Sequence, residues 1–150
     1  MKNLRVTPWL TWEGILQGSM ALGAAALIDH FGLRLLGVRI EIFTGIQYFN
    51  FTWFVALFLL PFAGGVAVSL IFGLGGKYLA YVPPLPVMAL DYYISMHAAH
   101  LPVGGRLMPL GWWGFFVVLA IESSAIGGVF GEIWNKRIYG RDHPAPEKKI

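Results

Sequence analysis

From Phe51 to Gly73 the chain carries no charged side chain. At about 1.5 Å per helical residue this stretch can cross a hydrocarbon layer about 30 Å thick. Backbone amides in lipid must find partners within their own segment, so the run has to be helical. Pro61 removes one donor from it and Gly64-Gly65 follows within a turn, which predicts a kink near mid-membrane that a neighbouring helix must cover.

The rest of the chain fits the same solvent. Hydrophobic residues make up 57% and charged residues 13%, whereas soluble domains run at about 45–50% and about 25%; mean hydropathy is +0.63. An ordinary soluble domain is excluded, because its exterior would need more polar surface than this chain owns. The eleven Lys and Arg form no continuous stripe, and five of them, Lys136, Arg137, Arg141, Lys148 and Lys149, crowd the C-terminal segment. That cluster suits a cytoplasmic tail beside anionic headgroups, so no nucleic-acid partner is expected. With no cysteine, there is neither a thiolate metal site nor a C-x-x-C-H attachment for haem.

Two further spans stand out. Leu110 to Gly131 starts with Trp112-Trp113 and ends just before Glu132 and Trp134, aromatics that favour the headgroup boundary at either end. Trp9 to Ile28 is bounded by Trp9 and Trp12, with Asp29 as its stop, and is read as a retained span because no small-x-small cleavage site follows it. Residues 30–50 place Leu33, Leu36, Ile40 and Phe43 at helical spacing, which fits either an amphipathic interfacial helix or a packed loop. The segment from Tyr78 to Leu101 contains Pro83, Pro84 and Pro86. A helix is expected to start only after Pro86, as a short buried span or a re-entrant or interfacial segment.

The expected fold is therefore an all-α membrane protein, a small polytopic helical bundle of four transmembrane helices, with three spans plus a re-entrant or interfacial segment as the alternative. Residues 1–150 form one integral membrane domain, and 132–150 a short cytoplasmic tail. Four spans with both termini inside leave only Arg34, Arg39 and Arg106 outside, and obey the positive-inside rule better than three. The expected location is the bacterial cytoplasmic membrane with the C-terminus cytoplasmic.

Three groups of residues invite functional readings. Glu122 lies deep inside an apolar span and is followed by Ser123 and Ser124. An intramembrane carboxylate is costly, so it serves either as a proton or ion relay or as interhelical glue to Gln17, a serine hydroxyl or a carbonyl freed by Pro61. Asp91, Met96, His97 and His100 fall within ten residues of one another on the outer side. The i, i+3 histidines would share a helical face and could ligate copper or bracket a haem. On the bland alternative they bond neighbours or sit at headgroups. The small pairs Gly14/Gly18 and Gly127/Gly131 are G-x-x-x-G faces that bring helices close, within this chain or with other subunits.

No Walker A loop, dinucleotide fingerprint, nucleophile elbow or catalytic carboxylate pair occurs, so no catalytic activity of its own is expected. The leading expectation is a non-enzymatic integral subunit of a larger respiratory or other energy-transducing complex, which it assembles or stabilises through helix packing. Its partners would be membrane lipids and other integral membrane subunits. The alternatives are a redox or metal/haem-handling protein with an outer-facing site of His97 and His100 with Met96 and Asp91, and a proton-coupled channel or carrier using Glu122.

Overall fold

The computed structural model describes residues 11–139, with side chains described through Lys136. Helix α1 spans Trp12–Leu36 and is opened by Thr11, whose hydroxyl accepts from the Gly14 amide at 3.1 Å. Gly37 closes it with a left-handed φ of 65°, a conformation that costs glycine nothing. The expected stop at Asp29 is corrected here. The helix continues for two further turns because the Asp29 side chain turns into the bundle instead of marking a headgroup boundary. The same extension absorbs Leu33 and Leu36, so the amphipathic interfacial helix over 30–50 does not form. A loop follows, carrying the two-residue strand β1 (Ile42–Phe43) and a 3-10 turn.

Helix α2 spans Phe51–Phe72 and contains a π turn at Val55–Leu59, immediately before Pro61. A proline cannot donate to the preceding turn, and widening that turn to an i→i+5 pattern accommodates the break. The irregularity expected near Pro61 is thus a π turn. The segment between Gly73 and Met96 is broken: a one-turn helix α3 (Gly76–Leu79), a bend, then helix α4 (Pro84–Met96). The helix begins at Pro84, not after Pro86, since first-turn residues have no intrahelical partner for their amides and proline loses nothing there. Strand β2 (Arg106–Leu107) precedes helix α5 (Leu110–Tyr139). Helix α5 passes Glu132 without a break, so the segment expected to be tail from 132 begins as bundle.

Strands β1 and β2 pair antiparallel, Ile42 with Leu107 and Phe43 with Arg106, and the Met108 amide extends the ladder to the Glu41 carbonyl at 2.8 Å. Both loops are thereby tied at one end of the bundle, here called the hairpin end. The chain runs toward it in α1, away in α2, back through α3 and α4, and away again in α5. Of these elements, α1, α2 and α5 are long and apolar enough to cross a membrane. Helix α2 packs on both α1 and α5, while α4 touches α1 and α5.

The interior has two characters. Toward the hairpin end, Trp53, Leu57, Met88, Phe116 and Val117 form a core of large side chains, with Trp53 and Phe116 edge-to-face at 4.9 Å between centroids. Toward the terminal end the core is built from Ala21, Ala25, Val68 and Ala80 with Phe72, because backbones there nearly touch. A methyl added to Gly65 would fall on the Ser124 carbonyl, one on Gly127 on the Phe62 carbonyl, and one on Gly131 would lie 2.8 Å from the Val66 oxygen. The Gly127/Gly131 face is therefore spent within this chain, against α2. Gly18 likewise faces Phe72 and Leu79 of the same chain, and Gly14 is buried.

Candidate functional site

Five polar side chains close this bundle. Ser123 Oγ donates to the Phe58 carbonyl inside the π turn at 2.7 Å, Ser124 Oγ to the Ala80 carbonyl at 2.6 Å, and Ser69 Oγ to the Gly128 carbonyl at 2.6 Å. Asn135 donates to the Ser69 carbonyl at 2.6 Å. Glu132 is buried, and its Oε1 accepts from the amides of Gly75 at 2.8 Å and Lys77 at 3.3 Å, securing the corner that opens α3. These bonds hold helices together where lipid supplies no hydrophobic drive.

Glu122 is not among them. The two serines beside it point inward, as α-helical geometry requires of residues one and two positions on, and Glu122 itself is exposed. Val118 and Ile126, one turn to either side, are exposed as well, as is Val129. Trp112 and Trp134, both exposed, mark the two ends of this face, and Glu122 stands roughly 15–18 Å from each along the helix axis. The carboxylate thus sits midway along an apolar, outward-facing stripe. Gln17 is also exposed.

The histidine-rich segment is not assembled as a metal site. Helix α4 stops at Met96; His97 caps it, with Nδ1 2.9 Å from the Tyr93 carbonyl, and His100 lies in irregular chain beyond. The shared helical face expected of His97 and His100 is absent because the helix ends before both. Met96, His97 and His100 are exposed, while Asp91 pairs elsewhere. Among the described residues no group of three or more His, Asp and Glu is gathered to hold a metal ion.

What the fold does gather is a polar cavity of about 420 Å³ at the hairpin end, with Arg34, Arg39, Glu41, Asp91 and Ser95 in its wall. Glu41 is buried and fixed by Ser95 Oγ at 2.7 Å, with Arg39 Nε 3.5 Å from the same oxygen. Asp91 Oδ1 stands 3.7 Å from His30 Nδ1 and feels the charges of Glu41, Arg34 and Arg39. The Tyr48 hydroxyl accepts from the Arg39 amide at 2.6 Å and donates to the Arg39 carbonyl at 2.5 Å, clamping the loop that carries Arg39 and Glu41. Burial lifts the Tyr48 phenol above its ordinary value, with Glu41 adding to the rise and the Arg39 amide and guanidinium opposing it.

Behind this cavity lies Asp29, 3% exposed, with neither carboxyl oxygen hydrogen-bonded. Sequence reasoning missed it as an interior group because the run 29–30 resembles a helix stop. The available signal was the i, i+4 register: Gly18, Ala21, Ala25, Asp29 and Leu33 follow one buried face of α1.

No known protein family, no curated protein and no solved structure matches this chain.

Proposed function

We propose that this protein is a non-enzymatic integral subunit of a larger membrane complex, joined to it through the outward face of α5. The single observation that carries the proposal is Glu122, a carboxyl exposed halfway along an apolar membrane-length helix. In hydrocarbon such a group costs several kcal/mol unless a donor meets it. Apolar side chains are exposed on the other long helices too, but the Val118, Glu122, Ile126 stripe sets a carboxyl among them midway along its helix. The occupant proposed is a transmembrane helix of a different subunit, offering a hydroxyl, amide or basic side chain at Glu122 depth.

The test is photocrosslinking in native membranes from a photoreactive residue at Ile126, with Glu122 intact, changed to Gln, or changed to Leu. One defined adduct of larger mass is expected, retained in Glu122→Gln, which keeps polar hydrogen-bonding capacity, and lost in Glu122→Leu. An adduct of the chain with itself, or one indifferent to Glu122→Leu, overturns the proposal.

We further propose that the broken α3–α4 segment is the fourth crossing and that the termini face the cytoplasm. The support is the hairpin: pairing of β1 with β2 requires an even number of crossings between them. Arg34, Arg39 and Arg106 then fall outside, and the other eight cations of the sequence fall inside. A reporter fused after Ile150 should be active only as a cytoplasmic reporter. A cysteine at Gly104, exposed in the hairpin-end loop, should react with an impermeant thiol reagent in intact cells. A C-terminus found outside would reverse the orientation.

A further inference from the structure

We infer that Asp29 is a proton-binding site in the bundle interior, beside the hairpin-end cavity. Its position is set by α1, which turns Asp29 inward toward α2. There Gly64 leaves room: a methyl at that glycine would lie 3.4 Å from Asp29 Oδ1. The small chamber beside the carboxyl is walled by Leu33, Leu60, Pro61, Val87 and Met88 among others, and Asp29 is the one polar side chain in its lining. Its free volume is only about 10 Å³, and one polar group falls short of the about two to four partners that a buried water needs.

That lining selects the ligand. Hard metal cations require several oxygen ligands, and one carboxyl in an apolar wall does not supply them. A proton needs a single oxygen, and both Asp29 oxygens are buried with no hydrogen-bond donor to meet them. The ionisable groups around the chamber all lie toward the hairpin end: His30 and Arg34 on α1 itself, Asp91 from α4, and Arg39 and Glu41 from the loop after α1. Helices α2 and α5 present Leu60, Pro61, Gly64 and Ala120 to it, none of which titrates.

Leu33, one turn beyond Asp29, lines the hairpin-end cavity and the chamber alike and stands between them. The net change on binding is one proton taken up by the Asp29 carboxylate, which becomes a carboxylic acid; release is the reverse. Glu122 takes no part, so this inference does not rest on the assembly proposal.

The experiment is infrared spectroscopy of the full chain in lipid nanodiscs, following the carbonyl band of a protonated carboxyl as H₂O is replaced by D₂O. A protonated aspartate band is expected, removed by Asp29→Asn and kept in Glu122→Gln. Should Asp29→Asn fail to fold, ¹³C-aspartate labelling identifies the band instead. The chain has three aspartates, Asp29, Asp91 and Asp142, so the labelled Asp91→Asn/Asp142→Asn chain reports Asp29 alone. Absence of a protonated Asp29 band overturns the site.

Discussion

Gly65→Ala is expected to abolish the native bundle or leave it severely destabilised. The added methyl would fall on the Ser124 carbonyl oxygen, 2.7 Å from its carbon and 2.9 Å from the Gly128 nitrogen. All three obstacles are backbone, so no rotamer change relieves them and α2 must move away from α5. Ordinary overpacking costs about 1–3 kcal/mol; here the separation also breaks the bonds from Ser123 to Phe58, from Ser69 to Gly128 and from Asn135 to Ser69. The total expected is at or above the top of that range, about 3 kcal/mol or more. Thermal unfolding in mild detergent reads it, with Gly23→Ala as the control. Nothing lies within 4 Å of a methyl at Gly23, and replacing a helical glycine by alanine there should be neutral or stabilising by up to about 1 kcal/mol. Equal melting of the two variants would mean that α2 and α5 do not cross at Gly65.

Glu132→Ala should produce the second largest loss. Glu132 is 7% exposed and accepts two backbone amides that open α3, while its other oxygen lies 3.9 Å from Lys77 Nζ. Truncation leaves those amides without an acceptor in a tightly packed corner, which costs about 2–4 kcal/mol. Glu132→Gln keeps an acceptor oxygen and should recover more than half of the difference. The sharper readout is local: amide hydrogen exchange at Gly75 and Lys77 should accelerate in Glu132→Ala and stay near the parent rate in Glu132→Gln. If exchange there is unchanged in the alanine variant, the carboxylate does not hold this turn.

The two lone carboxyls separate cleanly in these terms. Glu122 faces outward from α5, whereas Asp29 faces inward against Gly64 of α2. Neither could be sorted by its residue type. Both are lone carboxyls within apolar helical sequence; Glu122 invited a relay or interhelical glue and Asp29 a helix stop, yet the interior placement belongs to Asp29.

What the sequence determined by itself was the solvent and the long helices. An uncharged run from Phe51 to Gly73 has no stable form in lipid except a helix, and the aromatic-bounded run after Leu110 obeys the same rule, because backbone hydrogen bonding leaves no other choice. The irregularity at Pro61 was legible too, since a missing amide is a property of the residue. Where α1 ends, which G-x-x-x-G face meets which helix, and which way Glu122 turns were decided only by tertiary structure. Helical periodicity says which residues share a face, but not what that face meets. The Gly127 face meets Phe62, and the face bearing Asp29 meets Gly64. The cavity at the hairpin end was hidden for the same reason: Glu41 is far in sequence from Asp91 and Ser95, and they become neighbours only when β1 pairs with β2 and α4 returns beside α1.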